Sequence, residues 1–133
     1  MKKFLPIVML GSLSVSAAYA DPDVVVIGNP AAASLTKEQV CDLYLGKSQG
    51  MKLTDQPASA PIKAQFYQKV SGHDLSQVKA TWSRLIFTGK AQAPKELPDA
   101  AAVKKAVASD AKTVGYIQKS DVDGSVKVLL SLN

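Results

Sequence analysis

The chain has 133 residues, 47% of them apolar, with 16 Lys and Arg against 11 Asp and Glu and a formal net charge of +5. That length holds one domain, and its apolar content suffices for an independent core, which excludes a disordered chain. The charge is mild and its lysines are scattered without interleaved aromatics, so nucleic-acid binding is not indicated and a weak preference for anions is the most it supports.

Met1 to Ala20 reads as a secretory signal peptide. Lys2 and Lys3 form the positive start, Phe4 to Val15 the apolar stretch, and Ala18-Tyr19-Ala20 an A-x-A cleavage site before Asp21. The apolar stretch is shorter than the ~20 residues a membrane span needs and is broken by Pro6 and Gly11. No Cys stands at the cleavage point, so a lipoprotein anchor is not indicated. The expected location is the periplasm, and the expected domain, residues 21–133, does not span a membrane once the signal is removed. Its formal charge is about +3.

In chain order, Val24-Val-Val-Ile27 is an uninterrupted β-branched run that ends at Gly28-Asn29-Pro30, the pattern of a strand covered on both faces. Asn29 and Pro30 shape the turn after it. Thr36-Lys-Glu-Gln39 reads as a capping box, and Val40, Leu43 and Tyr44 follow at helical spacing, so a helix is expected from Lys37 to Leu45 with Gly46 as its stop. Met51 to Pro57 is a short expected strand, followed by the loop Gln56 to Pro61. Ile62, Phe66 and Val70 make one apolar helix face that Ser71-Gly72 ends. Asp74 and Gln77 open a third helix, with Val78, Trp82, Leu85 and Ile86 expected to face one way until Thr88-Gly89. Ala91 to Pro98 reads as a proline-punctuated loop. Asp99 caps a fourth helix over Ala100–Ser109 with Val103 and Val107 inward. Val114–Gln118 and Val126–Leu130 read as strands joined by the turn Asp121 to Gly124. The order β-α-β-α-α-α-β-β points to an α/β domain with helices flanking a mixed sheet.

Reaction chemistry is poorly represented. Cys41 is the only cysteine and His73 the only histidine, too few for a structural zinc site. Cys41 falls in an apolar helix and reads as a small buried hydrophobe. Asp121, Asp123 and Gly124 lack the downstream glutamate of a calcium loop. No acid/base pair or nucleophile constellation is visible, so an enzyme is not expected, and no cofactor is called for.

Three motifs occur in order: Asp42-Leu-Tyr-Leu-Gly-Lys47, Trp82-Ser-Arg-Leu-Ile-Phe-Thr-Gly-Lys90 and Val114-Gly-Tyr-Ile117. From Val24 to Leu129 the chain resembles one lobe of the phosphate-type periplasmic solute-binding proteins, and Trp82 to Lys90 is similar to the signature of short, single-lobe relatives. The resemblance implies a single lobe of a periplasmic-binding-protein-like fold. It implies the substrate-binding role of a phosphate ABC transporter, with reversible oxyanion binding and no catalysis. Possible partners are phosphate itself, an ABC transporter, a membrane sensor or a second lobe. In full-length relatives an Arg-x-Asp-Gly-Ser-Gly-Thr loop holds phosphate at a helix N-terminus. The matching stretch here is Asp55-Gln-Pro-Ala-Ser-Ala-Pro61, in which only Ser59 is alike, while Asp55 and Pro61 replace Arg and Thr. The amides of Ile62 and Lys63 stay available. Candidate ligand residues are therefore Ser59, Ala60, Arg84, Thr88 and Lys90. Helix capping competes for Ser59, Ala60, Thr88 and Lys90, an ion pair with Asp42 competes for Arg84, and Trp82 reads as core. The altered loop also supports an alternative, a ligand-free interaction or sensory accessory protein that kept the lobe.

Overall fold

The structure, a computed structural model, describes residues 23–132. The expected signal peptide, Met1 to Ala20, lies outside the described residues. The elements are β1 (Val24–Gly28), α1 (Lys37–Tyr44), β2 (Lys52–Asp55), α2 (Pro61–Ser71), α3 (Leu75–Phe87), β3 (Lys95–Glu96), α4 (Ala100–Ser109), β4 (Thr113–Gln118) and β5 (Lys127–Ser131). They build an α/β domain around one mixed sheet of order β3-β2-β4-β1-β5. β1 is antiparallel to β4 and β5, whereas β2 runs parallel to β3 and β4.

The β1 run is continuous because both of its faces are covered. Val24 and Val26 join the core formed with α1, α2 and α3, and Val25 and Ile27 join Val103 and Val107 of α4 on the other side. All five β1 residues are buried. Such a strand needs no polar alternation. The expected caps form: Thr36 and Gln39 close α1, Asp74 and Gln77 close α3, and Asp99 accepts from the Ala102 amide at the start of α4. Each satisfies backbone donors that a helix start leaves free.

Two of the motif glycines are set by space. A Cβ on Gly46, which has φ +77°, would lie 2.2 Å from Leu85 Cδ1, so α1 ends where α3 crosses it. A Cβ on Gly115 would lie 2.4 Å from both Thr54 Oγ1 and Val103 Cγ1, so β4 admits the side chains of β2 and α4 only without its own. Trp82 is buried and donates its indole N–H to the Tyr44 carbonyl at 2.8 Å, a core role that locks α3 onto α1.

Three sequence expectations change. The loop Ala91 to Pro98 contains β3, two charged residues between Pro94 and Pro98, which carry no apolar alternation to reveal them. Short, charged and proline-flanked segments are what sheet edges tolerate. Ile86 is 53% exposed rather than inward, because Leu85 fills the side of the last α3 turn that meets Gly46. Arg84 is exposed and forms no ion pair with Asp42 among the described residues; two residues beyond Trp82 on a helix, it projects from the opposite face. No helix of the described residues is long and apolar enough to cross a membrane.

Candidate functional site

The C-terminal end of β2 enters a buried polar node. Asp55, 6% exposed, accepts from Tyr67 Oη at 2.7 Å through Oδ2, and from Tyr116 Oη and the Gln56 amide through Oδ1. Lys63 Nζ stands 3.9 Å from Asp55 Oδ2 and 3.8 Å from Glu96 Oε2. Tyr116 stacks on Phe66 with ring centres 3.9 Å apart, and Tyr44 meets Phe66 edge-on. Tyr44 donates to the Thr54 carbonyl at 2.8 Å. Burial pushes all three phenols far above their usual range, and the charge of Asp55 raises them further. They remain protonated donors, and the node is saturated with partners. A cavity of about 270 Å³ opens against Asp55 and Tyr67, walled by Leu75, Val78 and Trp82.

Beyond this node, β2 and β4 end on the same side of the sheet, as parallel neighbours must. Gln56 and Gln118 there line a depression of about 560 Å³, together with the starts of α2 (Ala60, Pro61, Ile62) and α4 (Asp99, Ala100) and with Asp121, so among the described residues two acidic side chains and no basic one border it. Ligands of open α/β sheets gather at this end of parallel strands. α2 begins without a side-chain cap, with Ala60 at its N-cap and Pro61 next, unlike the other three α-helices. Pro61 has no N–H and the Lys63 amide, expected to stay available, turns back to the Ala60 carbonyl at 3.0 Å, so of the two expected donors the Ile62 amide is left, together with the positive end of the dipole. Gln65 lines the same depression, and its buried Oε1 has no partner among the described residues. Rotating that amide presents two N–H donors instead.

The candidate residues fall at two places. Ser59 is exposed and Ala60 half-buried at the start of α2. Arg84, Thr88 and Lys90 are exposed at the far end of α3. Thr88 closes that helix, its hydroxyl donating to the Arg84 and Leu85 carbonyls at 3.0 and 3.2 Å, and the Lys90 amide donates to the Leu85 carbonyl at 3.0 Å. Lys90 lines a second, larger groove of about 710 Å³ beside the N-terminal half of β2, whereas Ala60 borders the depression described above. Asp55, which stands where the related loop has Arg, turns its carboxylate into the tyrosine node. Asn29 shapes its turn by accepting from the Ala31 amide, and its side chain also donates to the Ala108 carbonyl at the end of α4.

Sequence reasoning missed the partnership of Asp55, Lys63, Tyr67 and Tyr116. The signal was available: Tyr67 adjoins Phe66 on the apolar face of α2, and Tyr116 lies in a buried strand, so both hydroxyls require acceptors. Elsewhere, Cys41 is half-buried and burial raises its thiol pKa, with Asp42 adding to the rise, the reverse of an activated nucleophile. Asp123 pairs with Lys104 at 2.9 Å and holds the Ser125 amide, and its carboxyl is pushed well below the usual range chiefly by the Ser125 and Lys104 hydrogen bonds. No group of three or more His, Cys, Asp or Glu among the described residues could hold a metal ion.

No family model matches the sequence, and no curated protein matches it. Solved structures do. An ABC-type phosphate transport receptor from Vibrio cholerae aligns with TM-score 0.63 and 20% identity over 81% of this chain and 45% of its own. A protein of Clostridium perfringens, assigned as a phosphate ABC transporter substrate-binding protein and solved with bound phosphate, aligns with TM-score 0.65 and 18% identity over 81% of this chain and 44% of its own. The chain therefore spans less than half the length of each and has the fold of that part of a phosphate-transport receptor.

Proposed function

We infer that this protein is a solute-binding module of the phosphate-receptor type that holds an oxyanion reversibly, without catalysis, at the start of α2. The observation that carries this reading is the uncapped helix start at the C-terminal end of β2. Backbone amides and the helix dipole attract an anion there without any basic side chain. Ser59, the one loop residue like those of the phosphate-binding family, offers a hydroxyl beside those amides. The two solved neighbours connect the fold with phosphate transport. The signal-like segment Met1 to Ala20 places the work in the periplasm in this reading.

An open depression cannot surround its ligand, and small-ligand sites usually bury ~70–90% of it. The module therefore works with a second wall, supplied by another copy, a second lobe, a membrane sensor or the transporter. Affinity of the isolated chain is accordingly weak.

Thermal unfolding in phosphate and in chloride at equal ionic strength tests the reading, with Ala60→Asp as the comparison. An aspartate at the N-cap satisfies the same amides with its own carboxylate, and it should stabilise the free protein by about 1 kcal/mol. Phosphate at a hundredfold excess over its dissociation constant should stabilise the natural protein by about 2.7 kcal/mol and leave Ala60→Asp unmoved. No phosphate response from the natural protein, or equal responses from both, overturns the assignment.

A second reading, surface contact without a small ligand, is favoured by Phe87, which is 92% exposed beside the half-exposed Ile86. The two adjacent side chains leave apolar surface at the end of α3 that a contact would cover. Sedimentation velocity tests it: self-association that Phe87→Ser abolishes supports the contact role, and a monomer at every concentration counts against self-contact.

A further inference from the structure

The groove at the N-terminal end of β2 combines three features. Its apolar lining includes Met51, Leu53 and Trp82, its charged lining is Lys52, Lys90 and Lys95, and no carboxylate of the described residues lines it. Lys52 is paired with Asp110 at 2.8 Å, but Lys90 and Lys95 form no ion pair among the described residues. The third feature is an open strand edge. β3 stands opposite only Thr54 and Asp55, so no strand flanks Lys52 and Leu53 on that side. The Lys52 amide points inward, donating to the Lys112 carbonyl at 2.8 Å. Successive residues of a strand alternate, so the Leu53 amide points outward, toward the groove.

We propose that an extended acidic segment of a partner protein docks in this groove along the open edge of β2, between that edge and residues 91–93, which lead toward β3. Backbone hydrogen bonds to the edge supply the register, and alternate side chains divide between the two parts of the lining. Its carboxylates meet Lys90 and Lys95, and its apolar side chains rest on Met51 and Trp82. Charge complementarity selects the acidic partner, since the lining offers Lys90 and Lys95 without an ion-pair partner and, among the described residues, no anion of its own. The exposed edge favours a polypeptide over a lipid surface, because only a polypeptide returns a ladder of N–H and C=O groups. This site lies apart from the start of α2 and does not depend on the oxyanion reading.

Trp82 is the chain's only tryptophan and lines the groove, so its emission reports occupancy. The protein is titrated with a capped hexapeptide of alternating glutamate and valine. Three comparison probes are used: the same peptide N-methylated at alternate amides, its lysine-valine counterpart, and phosphatidylglycerol vesicles. The expected result is a saturable emission change with the acidic peptide, lost on N-methylation and absent with the lysine peptide. Joint Lys90→Glu and Lys95→Glu replacement, at exposed positions that leave the core untouched, should weaken it by about tenfold or more. Equal binding of the N-methylated peptide removes strand addition and overturns the proposal. So does a response to the vesicles alone, to both peptides alike, or to neither peptide.

Discussion

The two ends of β2 are built to opposite specifications. At Asp55 the strand enters a node in which the carboxylate accepts from two tyrosine hydroxyls and a backbone amide, packed among aromatic rings. Three residues earlier, at Lys52, it runs along an open groove with an unflanked edge and lysines free to meet another molecule. A saturated polar node adds rigidity and offers nothing to a ligand, while an unsaturated edge contributes little to the fold and is free to bind. Polarity alone therefore does not mark a site; what matters is whether the polar groups already have partners. The start of α2, where helix amides go uncapped, belongs with the open end in this respect although it lies beside the node.

Alkali should break the closed end most severely. The phenols of Tyr44, Tyr67 and Tyr116 have pKa values raised well above the ordinary value by burial and by Asp55. The folded state thus keeps protons that the unfolded chain releases above pH ~10, and stability is full below that pH and lost as pH rises. The loss is about 1.4 kcal/mol per pH unit for each tyrosine, so about 4 kcal/mol for the three together. Phenolate absorbance from these tyrosines should appear together with the loss of helical circular dichroism; phenolate formation in a folded protein would contradict the node. Asp55→Asn should come next, lowering stability by about 3 kcal/mol in urea unfolding, because it turns an acceptor of two tyrosine hydroxyls into a part donor and leaves Lys63 with Glu96 alone. Gly115→Ala should cost about 2 kcal/mol by forcing Thr54 and Val103 apart. At the open end the expected effect is smallest: Lys52→Ala removes an exposed pair with Asp110 and should leave the unfolding midpoint unchanged within error. A large loss there would mean that the groove wall carries structural weight.

The fold was legible where local chemistry and tertiary position agree. The β1 run, the capping pairs Thr36 with Gln39 and Asp74 with Gln77, and the Val103–Val107 face all repeat a local rule that the packing then uses. β3 was not legible because Lys95 and Glu96 become a strand only through the edge of β2. In the candidate site the sequence pointed to the start of α2, but it gave Ala60 a competing capping role, and the missing side-chain cap is visible only in the structure. The residues Arg84, Thr88 and Lys90 were drawn from a motif, and a motif does not say which end of a helix faces which depression. The role of Asp55 depends on hydroxyls 12 and 61 residues away in sequence, a pairing no local pattern encodes.

Amide chemical-shift mapping during a phosphate titration reports where the anion goes as well as whether it binds. Saturable shifts are expected, largest at the Ile62 amide at the start of α2, smaller at Lys63 and Ala64, and weaker still at Ala100 and Ala101. Shifts confined to Lys90 through Lys95, or none that saturate, would contradict oxyanion binding at the start of α2.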